Sequence, residues 1–191
     1  MLIYQSSHYI VRKSFSQGHD EDRKTSPIVV TFPHAGAPTI DSGVAFGEVF
    51  LRLKNIDAYH ILNANVDWFQ NDDFWGMLES IRKDVDPDRE IVTYGASMGG
   101  YGALLASSRL AASRVLSIVP QFSIDRAIVP FERRWKDHAE NIGTFRHDIV
   151  SEINPQSQIY TLHDPRNVDE LQMALFDTMP SWTRFVMPFG G

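Results

Sequence analysis

This sequence predicts an α/β fold with a mostly parallel central sheet and helices on both faces. Three observations carry that expectation. Short β-branched runs alternate with amphipathic helical stretches along nearly the whole chain, the pattern of a parallel sheet wrapped by its crossover helices. The run Ile28-Val-Val-Thr-Phe32 is continuously apolar, as suits a strand buried on both faces. Gly95-Ala96-Ser97-Met98-Gly99 stands between the run Ile91-Val-Thr-Tyr94 and an Ala/Leu-rich stretch from Tyr101 to Leu110, which marks a sharp strand-to-helix turn.

In chain order, Leu2 to Phe15 holds two strand-like pieces separated by Gln-Ser-Ser, a hairpin pattern. Gln17 to Pro27 is polar and reads as a solvated loop. After Phe32 the segment Pro33-His34-Ala35-Gly36-Ala37-Pro38 breaks regular structure. Asp41 or Ser42 can cap a helix whose apolar positions Phe46, Val49, Phe50 and Leu53 recur on one face. Ala58 to Leu62 is the next strand. Asn71 or Asp72 opens a second helix with Phe74, Met77, Leu78, Ile81 and Val85 inward, stopped by Asp86-Pro87-Asp88. Arg114 to Val119 is a strand beyond the elbow helix. Pro120 to Pro155 is charged and aromatic, too long for a plain connection, and is expected to carry short helices of its own. Ile159 to Leu162 is a strand, Val168 to Thr178 a helix with Leu171, Ala174 and Leu175 inward, and Thr183 to Met187 a final strand. The expected organisation is one domain over residues 1–191, with an inserted, cap-like segment around 121–155.

The chain has 191 residues, 43% of them hydrophobic and 22% charged, and a formal net charge of -6. The length is ample for a real core. The acidic balance argues against general nucleic-acid binding, which needs basic excess. Cysteine is absent, so disulfide and thiolate chemistry are excluded. The N-terminal residues lack the charge and apolar pattern of a signal peptide, and no apolar stretch has the length of a membrane span. A cytoplasmic location, away from nucleic acid and membrane, is the expectation.

The turn at Ser97 has the G-x-S-x-G form of a nucleophile elbow. By chance that pattern arises in roughly one chain in fifteen of this length, so the flanking strand, the helix and the extra Gly100 and Gly102 carry the assignment. The turn strains the serine backbone, and it sets Oγ at a helix start where free N–H groups stabilise developing negative charge. Over nearly its whole length the chain resembles the α/β-hydrolase superfamily. Gly95-Ala-Ser-Met-Gly-Gly-Tyr-Gly-Ala-Leu104 is similar to the elbow of esterases related to S-formylglutathione hydrolases. Phe32-Pro-His-Ala-Gly36 is similar to the oxyanion segment of type II thioesterases.

The resemblance implies a serine hydrolase that cleaves a carboxylic ester or thioester through an acyl-enzyme on Ser97. Its substrate would be a small-molecule or acyl-carrier ester or thioester, and neither cofactor nor metal is implied; the partner expectation leaves room for a homo-oligomer. The oxyanion hole would combine the Met98 N–H with that of His34 or Ala35. The acid should follow the second strand after the elbow, where Asp164 and Asp169 compete; the usual spacing favours Asp169. The base should follow the last strand, yet no histidine occurs after His163. The ending in Gly190-Gly191 suggests a C-terminus truncated just before its catalytic histidine. Within the chain His163 is the best substitute base, since it ends a strand at the functional edge of the sheet. His138 and His147 lie in the insertion, His60 reads as structural, and His8 and His19 as exposed. Trp68 and Phe69 fit either an acyl pocket or the core; Arg133 and Arg134 fit either an anionic substrate group or a solvated face. The alternative function is a catalytically impaired binding protein of the same fold that lacks the triad histidine.

Overall fold

The computed structural model describes residues 1–15, 25–37, 40, 43–177 and 182–188. Eight strands form one sheet: β1 (Leu2–Gln5), β2 (Tyr9–Ser14), β3 (Ile28–Phe32), β4 (Ala58–Asn63), β5 (Ile91–Ala96), β6 (Arg114–Ile118), β7 (Gln158–His163) and β8 (Trp182–Val186). The helices are α1 (Glu48–Leu53), α2 (Asp73–Asp84), α3 (Met98–Leu105), α4 (Lys136–Ile142), α5 (Ile149–Glu152) and α6 (Val168–Ala174). The strand order is β1-β2-β4-β3-β5-β6-β7-β8. β2 runs antiparallel to both β1 and β4, and every other pairing is parallel.

The order puts β5 between β3 and β6, so its carboxyl end opens at the middle of the sheet. Phe32 is paired with Gly95, and Gly95 with Ser117. The row Ala96, Ile118, Leu162, Phe185 fixes the level at which β5 to β8 end. Loops that leave these ends share one edge, where ligands of α/β sheets bind.

The core explains why these segments take these forms. All eight residues of α3 are buried, as expected of a helix apolar on every side. α2 buries Phe74, Met77, Leu78 and Ile81, the predicted face. Trp68 and Phe69 are fully buried, which settles them as core: Phe69 meets Phe32 edge-on at 5.7 Å and Phe74 at 5.4 Å. Both hold positive φ, 49° and 60°, and Asp67 Oδ1 steadies the turn by accepting the Phe69 N–H at 3.0 Å.

Two helical faces differ from expectation. In α1 only Leu51 is buried, while Val49, Phe50 and Leu53 are exposed. The helix is shorter than predicted, starting at Glu48, and the proposed caps Asp41 and Ser42 lie outside the described residues. Leu171 and Ala174 in α6 and Leu175 just past it are exposed, and Asp169, Gln172 and Met173 face inward. Apolar periodicity misread that face because its buried side chains include polar ones that bond to residues 122–134. Residues 120–157, between β6 and β7, carry α4 and α5. Among the described residues no helix is long and apolar enough to cross a membrane.

Candidate active site

Ser97 is the first residue past β5 and the N-cap of α3, with φ 53° and ψ -121°. A non-glycine residue there is strained by about 1–3 kcal/mol and persists only where its surroundings enforce it. Two hydrogen bonds and one close backbone approach do so. The Ser97 N–H donates to Ile118 O at 2.8 Å, and Ser97 O accepts from Tyr101 N at 3.0 Å. A Cβ on Gly95 would sit 2.1 Å from Gly99 O, so only glycine lets strand and helix approach this closely.

The segment after β3 crosses the start of α3. A Cβ on Gly99 would sit 2.3 Å from Phe32 O and 2.9 Å from Pro33 O. His34 and Ala35 therefore follow directly from backbone packed on the elbow. His34 O accepts the Ala37 N–H at 2.9 Å and His34 Nδ1 accepts the Gly36 N–H at 3.1 Å. Neither the His34 nor the Ala35 N–H donates in a turn or loop bond among the described residues. Met98, first residue of α3, likewise has no intrahelical acceptor for its N–H. Of the three amides the sequence nominates, that of Met98 starts α3 next to Ser97, and those of His34 and Ala35 follow the β3 backbone that packs on Gly99.

On the other flank Ser97 Oγ donates to Gln121 Oε1 at 3.4 Å. Sequence reasoning did not single out Gln121; only its place just past β6 could have suggested it.

Asp169 lies in the first turn of α6, 5% exposed, its N–H held by the capping Asn167 Oδ1 at 2.8 Å. Arg134 Nη1 is 2.8 Å from Asp169 Oδ1, an ion pair. Arg134 also grips Glu132, 1% exposed, through Nη2 at 2.7 Å and Nε at 3.0 Å. Burial alone would raise the Glu132 carboxyl, but hydrogen bonds from Arg134 and Gln172 outweigh it and hold the group below its usual range. Burial likewise opposes the Arg134 charge, and Glu132 with Asp169 more than restores it. Arg134 is thus spent on internal carboxylates, while Arg133 is exposed. Asp164 is buried at the end of β7 and accepts the Arg166 N–H at 3.0 Å, a turn-forming bond.

None of the six described histidines bonds to Ser97 Oγ; His34, which follows β3 at the elbow, packs its ring edge-on against Phe46 at 5.8 Å. His163, 4% exposed, sets Nε2 2.8 Å from Glu170 Oε2, with Nδ1 buried and unpartnered. It lies one residue past the Ala96–Ile118–Leu162 row, two strand spacings or roughly 10 Å from Ser97 along the sheet. Its Nε2 is engaged by Glu170, and Ser97 Oγ bonds to Gln121 instead. His138 packs on Trp68 and Trp135, and His147 on Trp75 with Nε2 3.4 Å from Asn71 O. His8 bonds to Asp73 at 3.0 Å. His60 is buried between Ser14 Oγ at 2.8 Å and Thr31 Oγ1 at 3.0 Å. His19 lies outside the described residues. Among the described residues no group of three or more His, Cys, Asp or Glu side chains could hold a metal ion.

A cavity of about 270 Å³ lies beside the elbow helix, bounded by Tyr101, Phe122, Ile128, Phe145 and Ile149 among others. Burial raises the Tyr101 hydroxyl well above its usual range; that hydroxyl accepts from Gln70 Nε2 at 2.8 Å.

No family model matches this chain, and a search of curated proteins finds no match in sequence. Solved structures do match it in three dimensions. A mutant capsule O-acetyltransferase of Neisseria meningitidis serogroup A in complex with CoA is 11% identical, over 97% of this chain and 85% of that one, with a TM-score of 0.65. MGS-M1, an alpha/beta hydrolase enzyme from a Medee basin deep-sea metagenome library, is 15% identical over 97% and 79%, with a TM-score of 0.61. An acetyl xylan esterase from Paenibacillus sp. R4 is 12% identical over 96% and 74%, with a TM-score of 0.65. At these identities the likeness is one of fold.

Proposed function

From the premise that this chain has the α/β-hydrolase fold, we propose that it is a serine-dependent acyl-transferring enzyme acting on a carboxylic ester or thioester. The observation that supports this most is the enforced strain at Ser97, which caps the N-terminus of α3 at φ 53° and is held there by backbone bonds on both sides. Ser97 Oγ attacks the carbonyl carbon and gives up its proton to a base. The carbonyl oxygen becomes an anion, received by the Met98 N–H and that of His34 or Ala35. Collapse expels the alcohol or thiol with a proton and leaves the acyl group on Ser97. Water then releases a carboxylic acid, or another hydroxyl takes the acyl group, which separates a hydrolase from a transferase. Asp169, buried in the first turn of α6, is the residue we assign to orient the base. Two of the structural neighbours handle acetyl groups by name, so O-acetyl esters are the first substrates to test.

The second reading is a binding protein of the same fold. It is favoured by one observation: among the described residues no imidazole bonds to Ser97 Oγ, whose partner is Gln121. Labelling with a fluorophosphonate separates the two. The enzyme reading expects covalent labelling at Ser97 by mass spectrometry and none in Ser97→Ala. A folded wild-type chain that stays unlabelled leaves the binding protein.

A further inference from the structure

Val119, the residue after β6, has φ 42°, a conformation that is a true outlier for a β-branched side chain. Its N–H donates to Leu162 O at 2.7 Å, so β7 holds the strained turn in place. That turn delivers Gln121, 1% exposed, to the elbow. Gln121 Nε2 donates to Val119 O at 3.1 Å, and Oε1 accepts from Ser97 Oγ at 3.4 Å. The opposite amide orientation would set oxygen against the Val119 carbonyl, so Val119 fixes which end faces the serine. The next two residues are also pinned. The Phe122 and Ser123 N–H groups both donate to Gln172 Oε1, at 2.8 and 3.3 Å, and Gln172 Nε2 donates to Ser123 O at 3.0 Å. Gln172 belongs to α6, the helix that carries Asp169.

We propose that Gln121 is a positioning residue for the nucleophile; this rests on the reading of Ser97 given above. Strand order supplies the sense of the effect. β3, which leads into His34 and Ala35, flanks β5 on one side, and β6 and β7 flank it on the other. By accepting a hydrogen bond from the hydroxyl, Gln121 points its proton toward the β6 side, from which the helix of Asp169 comes. The Oγ lone pairs are left for a carbonyl whose oxygen is held on the β3 side. Two strained residues, Ser97 and Val119, thus end neighbouring strands and face each other through one buried amide.

The test uses the full chain, thermal unfolding as a check on folding, and the rate of fluorophosphonate labelling as a function of pH. Gln121→Leu keeps the volume and removes the acceptor. Its labelling rate is expected to fall about two- to fivefold, the worth of a neutral hydrogen bond, and kcat for p-nitrophenyl acetate to fall alike with KM unchanged. Gln121→Glu places an ionisable acceptor at the same spot. Its labelling rate is expected to gain a rise between about pH 4 and 7, as a carboxylate titrates, that wild type lacks. A residue that merely packs produces no such ionisation. If wild type labels at Ser97 while both variants follow its rate and pH profile, the inference is overturned and the reading of Ser97 stands. If wild type does not label, both fall together. Should Gln121→Leu not fold, the Gln121→Glu profile decides.

Discussion

Replacing Gly99 by alanine tests whether the β3 segment and the elbow form one rigid unit. The added Cβ would lie 2.3 Å from Phe32 O and 2.9 Å from Pro33 O. A comfortable carbon–oxygen contact is about 3.3 Å or more, so the end of β3 must retreat by about 1 Å. The obstacle is backbone in the middle of the sheet and has no rotamer to yield. Overpacking of this kind costs about 1–3 kcal/mol, which lowers Tm by roughly 3–9 °C for a chain of this length. The amides of His34 and Ala35 move with that backbone, and an error of about 1 Å at reacting groups costs about 100-fold in rate. Calorimetry and the fluorophosphonate labelling rate measure the two effects separately. Gly76→Ala is the control: it lies in α2 with nothing within 4 Å of the new Cβ, and should gain about 0.5–1 kcal/mol from helix propensity without altering labelling. A Gly99→Ala chain that melts within about 1 °C of wild type and labels within about twofold would refute the reasoning.

Three further outcomes follow from the same geometry. Ser97→Gly should exceed Ser97→Ala in stability by about 1–2 kcal/mol in urea unfolding, because glycine relieves the φ of 53° and alanine does not; equal midpoints would mean that the elbow stores no strain. His60 is buried neutral, its pKa lowered from 6.5 to about 4 chiefly by desolvation. Its contribution is therefore whole above pH 6.5 and is lost as pH falls toward 4. Between pH 7 and 4.5 that removes about 2 kcal/mol, and His60→Gln should flatten the slope; parallel slopes would count against it. Arg134→Met strips the buried Glu132 and Asp169 of their cation. Since the arginine side chain is 39% exposed, the cost is discounted to about 2 kcal/mol, read as a fall in the urea midpoint.

Local signals exposed much of this architecture. Ile28–Phe32 was bounded by its own apolar continuity and by Pro33, and the elbow by the glycines that its close approaches demand. α2 was legible because its four buried positions are all apolar. α6 was not, since its inward face includes Asp169 and Gln172, whose partners Glu132, Ser123 and Arg134 lie far back in the chain. Hydrophobic periodicity has no means of seeing polar residues buried by long-range bonds. The same blindness hid Gln121, whose significance depends on a strained turn at Val119 and on a serine 24 residues earlier. Trp68 and Phe69 were ambiguous because aromatics at a strand end serve pockets and cores alike; only packing against Phe32 and Trp135 decides.

The place of β5 has a consequence for native-state hydrogen exchange. Its amides are bonded between two parallel neighbours and belong to the class that exchanges only when the whole domain opens. The Ser97 N–H, bonded to Ile118 O, extends that protection to the elbow. The turn therefore has no cheap partial opening through which to relax, unlike a serine carried on a surface loop. Protons at residues 91–97 should be among the last to exchange, and the elbow should hold its shape until the molecule unfolds as a unit.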